Sequence, residues 1–174
     1  MKHVLSVLVD NQPGVLVRVA GMFSRRGFNI DSLAVGVTHK PEYSRMTVVV
    51  TGDQSIVDQV IKQLSKLIEV ISVQVLDAKS SVTRGMAMVK VNAGDRRSEI
   101  LKLAEIFRAN VVDISDPTLT MEITGDEDKI KAFIELLTPY GIEEVVSAGV
   151  IGLKRGSSTI YKVQECEYYE QDVL

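Results

Sequence analysis

Apolar positions in the first half of the chain switch between the two-residue period of strands and the 3.6-residue period of helices. Residues 3–9, His-Val-Leu-Ser-Val-Leu-Val, read as a strand that stops at the loop Asp10-Asn11-Gln12-Pro13-Gly14. Val15, Leu16, Val19, Ala20, Met22 and Phe23 then recur at helical spacing, and Gly27 ends the run. Residues 28–37 return to strand character, and their apolar phase slips between Ile30 and Leu33, which predicts a β-bulge near Asp31-Ser32. After a turn at His39-Lys40-Pro41-Glu42, Met46, Val48 and Val50 mark a strand closed by Gly52-Asp53. Asp53 stands where it can cap a helix whose stripe is Val57, Val60, Ile61, Leu64 and Ile68, and residues 70–76 read as a further strand.

The second half repeats this order. Residues 86–91 read as a strand, Ile100, Leu101, Ala104 and Phe107 as a helix stripe, and Val111-Val112-Asp113-Ile114 as a short strand before Asp116-Pro117. Leu119, Met121 and Ile123 alternate with Thr118, Thr120 and Glu122, so one face of that strand is expected to be wet. Thr51-Gly52-Asp53 and Thr124-Gly125-Asp126 are followed by helix stripes at matching spacings, Val57, Val60, Ile61, Leu64 and Ile130, Phe133, Ile134, Leu137. The pattern predicts an α+β chain of two tandem ferredoxin-like βαββαβ domains. Their expected extents are residues 1–77 and 84–157, with a polar linker at 78–83 and a tail at 158–174 that carries Tyr161, Cys166, Tyr168 and Tyr169.

Composition narrows the function. The 174 residues are 45% hydrophobic and 25% charged with a net charge of -3, and the mean hydropathy is +0.13. That apolar supply excludes disorder over most of the length and leaves some for an interface with another chain. No apolar run nears the roughly 20 residues of a membrane span, and the N-terminus lacks the pattern of a secretory signal. One cysteine, Cys166, cannot form an internal disulfide, which fits a reducing cytoplasm. A pI of about 5.5 argues against nucleic acid as a partner, and Arg25-Arg26 and Arg96-Arg97 read as solvated helix faces.

Catalytic chemistry is scarce. His3 and His39 have no cysteine or carboxylate at metal-ligand spacing, Cys166 has no evident base, and Glu143-Glu144 alternate faces at a strand start. No phosphate loop, nucleophile elbow or dinucleotide fingerprint occurs. The expectation is a binding or regulatory protein with no catalytic residue, metal or cofactor of its own.

The Asp10–Leu16 loop has the chemistry for a ligand. Pro13 and Gly14 fall at a helix start, where free N–H groups and the helix dipole favour a carboxylate. Gly14 has no Cβ to hold a ligand off the backbone, and Asn11 offers both a donor and an acceptor. Asn29, an amide among apolar residues, is a second candidate. Ordinary turn chemistry accounts for the same residues slightly better, because Asn, Pro and Gly are common in loops.

A resemblance tips this balance. Leu5-Ser6-Val7-Leu8-Val9, Asn11-Gln12-Pro13-Gly14-Val15-Leu16, Arg18-Val19 and the run Phe23 to Leu33 (FSRRGFNIDSL) resemble an ACT domain, and more narrowly the small regulatory subunits of acetolactate synthase. Ser44-Arg45-Met46-Thr47, Met88 to Val91, Glu105 to Ala109 and Gly149 to Gly156 are similar to the same family, so the likeness runs over about residues 2 to 157. It implies an activity held by a large catalytic subunit that uses thiamine diphosphate, a divalent metal (Mg) and FAD. It implies that this chain raises that activity and confers feedback inhibition by valine or another branched-chain amino acid. It further implies a homodimer with the effector between Asn11, Gly14, Val15 and Leu16 of one copy and Asn29 and Ile30 of the other. The second domain has Asn92-Ala93-Gly94-Asp95 in place of the first loop and is expected to dock the large subunit. A free-standing amino-acid sensor with another target stays open at this point.

Overall fold

The computed structural model describes residues 1–161. Cys166, Tyr168 and Tyr169 lie outside them. The chain divides into two units, one of residues 1–82 together with the described residues from 152 on, the other of residues 83–151.

The first unit runs β1 (Lys2–Asp10), α1 (Val15–Arg26), β2 (Ser32–Val37), β3 (Tyr43–Thr51), α2 (Gln54–Leu64) and β4 (Val70–Val75). Its antiparallel sheet has the order β2-β3-β1-β4. Leu5, Val7 and Val9 of β1 and Met46, Val48 and Val50 of β3 form one core with Val15, Val19 and Phe23 of α1 and Val57, Val60 and Leu64 of α2. Both helices therefore cover one face. Ser6, Leu8 and Thr47, whose side chains alternate to the other face, are buried as well.

The second unit follows the same plan. Its elements are β5 (Ser81–Asn92), α3 (Arg97–Phe107), β6 (Asn110–Ile114), β7 (Thr118–Gly125), α4 (Glu127–Leu137) and β8 (Ile142–Lys154). The sheet order is β6-β7-β5-β8, and the core joins Ala87, Val89 and Val91 to Leu119, Met121, Ile123, Ile100 and Phe133. Thr118, Thr120 and Glu122 lie on the opposite side of β7 and are half-buried.

The strand expected over 28–37 is shorter, and the bulge expected near Asp31-Ser32 is absent. β2 pairs with β3 in unbroken register from Ser32↔Val49 to Val37↔Ser44. Phe28 and Ile30 are apolar because they pack on the core, not because they belong to the ladder. Phe28 lies edge-on to Phe23 with ring centroids 6.4 Å apart, and its N–H closes the end of α1 on the Phe23 carbonyl. Register shifts occur instead between Leu8 and Val9 against β4 and between Val111 and Asp113 against β7.

The repeated Thr-Gly-Asp has a mechanical reason. Asp53 accepts from the Ile56 N–H at 3.0 Å, and Asp126 accepts from the Lys129 N–H at 2.8 Å, so each aspartate caps its helix. A Cβ on Gly52 would stand 2.9 Å from the Ile56 side chain, and one on Gly125 would stand 2.6 Å from that of Lys129. The glycine thus lets the third helical residue fold back over the strand end. Replacing Asp53 or Asp126 by Ala is expected to cost about 1 kcal/mol each in urea denaturation, and replacement by Asn much less.

Candidate functional site

The 11–16 loop joins the buried β1 to α1. Gly14 is the N-cap of α1 at φ +86°, in the left-handed region where a side chain is strained, and a Cβ there would meet nothing within 4 Å. Among the described residues no side chain caps this helix, and its first turn holds no acidic residue. The Gly14 carbonyl accepts from the Arg18 N–H at 3.0 Å, and the Val15 N–H donates at 3.4 Å to the Gln12 carbonyl, so the turn itself takes one of the first-turn donors. α2 and α4 start differently, each with an aspartate on its first turn. Beyond Gly14, Val15 anchors the helix in the core, while Leu16 and Val17 are 43% and 74% exposed.

Asn11 is fixed by the β2–β3 turn. Its N–H donates to the Glu42 carbonyl at 2.8 Å, and its Nδ2 donates to the Pro41 carbonyl at 2.8 Å. Its Oδ1 accepts from the Ser44 hydroxyl at 3.0 Å. A side-chain amide has two N–H bonds and two acceptor lone pairs, so these contacts leave half of its capacity for a ligand. The tie across 30 residues was not readable from the sequence, where Asn11 appears only as a loop residue.

Asn29 and Ile30 lie on the connection into β2. Asn29 Nδ2 donates to Asp31 Oδ1 at 2.7 Å, and the Thr51 hydroxyl donates to Asp31 Oδ2 at 2.6 Å. The Asp31 N–H is bound by the Val49 carbonyl at 2.9 Å, so the connection is pinned to β3. The Thr51 hydroxyl holds the Asp31 carboxyl below the usual aspartate range. Desolvation opposes this, and the Asn29 amide and the charge of Lys2 add to it. Ile30 is half-buried and packs on the core. Within one chain, Asn11 and Asn29 thus belong to two separate networks.

Other candidates find ordinary places. His3 Nε2 lies 3.2 Å from the Gly52 carbonyl, and Arg26 donates to Gln63 at 3.1 Å. Arg96 bonds Glu99 and stacks over the Tyr140 ring at 4.0 Å. Among the described residues no group of His, Cys, Asp and Glu could hold a metal ion, and no helix is long and apolar enough to cross a membrane.

Comparison with known proteins completes the picture. Residues 5–72 match the family described as AHAS small subunit-like ACT domain, and residues 84–156 match the one described as small subunit of acetolactate synthase. A probable acetolactate synthase small subunit of Archaeoglobus fulgidus is 52% identical over 158 residues, which cover 90% of this chain and 99% of that protein. The acetolactate synthase small subunit of Mycobacterium bovis is 48% identical over 88% of this chain and 92% of its own. The crystal structure of the Thermotoga maritima small subunit matches with a TM-score of 0.86 at 40% identity, over 91% of this chain and 99% of that one.

The Asp31 network is open to a direct check. Thr51→Val removes the main donor and is expected to raise the Asp31 pKa toward the ordinary aspartate value, as read by NMR titration. In the unaltered chain the folded pKa is depressed. The stabilisation from this carboxylate is therefore present above the unfolded aspartate pKa and is lost as pH falls through the folded one.

Proposed function

This chain belongs to the acetolactate synthase small subunits, and on that premise we propose that it activates the catalytic subunit and makes it answer to valine. It is a regulatory subunit whose partner is the catalytic one. In this reading the chemistry on 2-keto acids stays with the catalytic subunit and its thiamine diphosphate, Mg and FAD. The second unit docks that subunit, and the complex works in the cytoplasm.

The observation that carries the effector reading is the start of α1. An open glycine N-cap with no competing carboxylate suits the carboxylate of a free amino acid, held by the N–H groups of Gly14, Val15 and Leu16. Asn11 has the remaining amide capacity to orient it. A single helix-start contact is worth about 0.3–1 kcal/mol at an exposed position. Regulatory coupling energies are about 1–3 kcal/mol, so this end alone is too weak. The reading therefore assigns the other half of the site to Asn29 and Ile30 of a second copy, with Ile30 packing on the branched side chain.

The sheet edge supports a homodimer. β2 is an edge strand, and Val35 and Val37 on it are 46% and 62% exposed. Free strand edges with apolar side chains are templates for pairing. A ligand bridging two copies shifts their arrangement only by binding one arrangement more tightly than the other, and that difference would reach the catalytic subunit.

Gly14→Asp tests the assignment. Its carboxylate occupies the helix start and repels that of the ligand, so calorimetry on the purified chain is expected to show no valine binding. Gly14→Ala serves as the control for left-handed strain. Undiminished affinity in a folded Gly14→Asp chain would refute the site.

A further inference from the structure

The face of the first sheet turned away from α1 and α2 is buried by more than its own strands. Ser6 and Thr47 on that face are 0% and 3% exposed, and Arg45 follows Thr47 on the same side of β3. The segment that continues β8 is fastened here. Arg45 Nη2 donates to the Gly152 carbonyl at 2.9 Å, and Gln74 Nε2 donates to the Thr159 carbonyl at 3.3 Å. Arg155 donates from its backbone N to the Ser80 carbonyl at 2.8 Å and from Nε to the Ser81 carbonyl at 3.1 Å. Ile160 is buried.

The segment ends on an aromatic seat. The Tyr161 ring meets the His39 ring edge-on at 5.2 Å and lies tilted against Tyr43 at 6.4 Å. Lys40 Nζ stands 5.0 Å from its centroid. His39 and Lys40 belong to the β2–β3 turn and Tyr43 opens β3, and Asn11 holds the same stretch at Pro41, Glu42 and Ser44. Residues 39–44 are thus gripped by Tyr161 and by the 11–16 loop.

This closure is not tight. Arg45 Nε, Gln74 Oε1 and Ser6 Oγ are buried without a hydrogen-bond partner among the described residues, and β1 pairs Ser6 opposite both Thr47 and Gln74. Burying a polar atom without its bond weakens the buried state. Burial also pushes the Arg45 pKa down, partly countered by Tyr161. An opened segment would return these groups to water, which lowers the cost of opening.

We propose that residues 152–161 are a releasable strap whose Tyr161 clamps the β2–β3 turn and so positions Asn11, coupling strap closure to effector binding. The coupling, though not the clamp, rests on the effector reading above. Tyr161 acts as a positioning residue and touches no ligand. By linkage, whatever factor closure adds to valine affinity, valine adds to closure.

The full chain and its Tyr161→Ala and Tyr161→Phe variants test this. Hydrogen exchange without valine reads the clamp alone. Tyr161→Ala is expected to speed exchange at the Asn11, Tyr43 and Arg155 amides while leaving α2 and β7 protected, which also shows that it folds. Tyr161→Phe keeps the ring and is expected to behave like the unaltered chain. Calorimetry reads the coupling, with valine affinity expected to fall five-fold or more in Tyr161→Ala. Unchanged exchange at Asn11 overturns the clamp. Faster exchange with unchanged valine affinity overturns the coupling. An unaltered chain that binds no valine refutes the effector reading and the coupling with it, and the exchange arm still decides the clamp.

Discussion

A helix start holds several unpaired N–H groups, and in this chain the first helix meets that constraint unlike two of its counterparts. α2 and α4 are closed by Asp53 and Asp126, whereas α1 begins at Gly14 with no capping side-chain hydrogen bond among the described residues. The glycine is required by the left-handed turn itself, which a β-carbon would strain. Val15, buried directly after it, keeps the helix start at the end of β1 rather than letting it swing into solvent. The uncapped helix start and the buried anchor are therefore two consequences of one turn, and the regulatory reading grows from them.

What surrounds that turn decides how it can respond. Asn11 joins it to the β2–β3 turn and the start of β3 through three hydrogen bonds, which tie the two loops to each other. The connection into β2 is pinned separately, through Asp31 to Thr51 and Val49. In a single chain these are independent structures. A ligand held by one set from each of two copies would make them dependent, which is why a weak contact at the helix end can serve regulation. The second unit repeats the fold without repeating the turn. There a short helical turn at Gly94–Arg96 precedes α3, and Arg96 lies bonded to Glu99.

The sequence was legible where structure is local. Strand alternation, the Asp53 and Asp126 caps and the Gly27 stop each depend on neighbours within a few residues, and the two βαββαβ units follow from them. Residues 28–31 misled because core packing makes Phe28 and Ile30 apolar whether or not they belong to a strand. The Asn11 tie and the cover over Arg45 could not be read, because they join residues 30 and 107 positions apart through backbone carbonyls. Carbonyl acceptors leave no trace in side-chain identity. Asn11, Gly14 and Asn29 stand out as candidate residues, but a turn explains them slightly better than a ligand does. Only the family likeness separated those readings.

The central claim is that this chain gives a catalytic subunit its response to valine. Reconstitution tests it most directly, by mixing the full chain with the acetolactate synthase large subunit of the same organism and following acetolactate formation across a valine titration. The account predicts that the chain raises the rate and that valine lowers it only when the chain is present. A folded chain that binds the large subunit yet changes neither the rate nor its response to valine would contradict it.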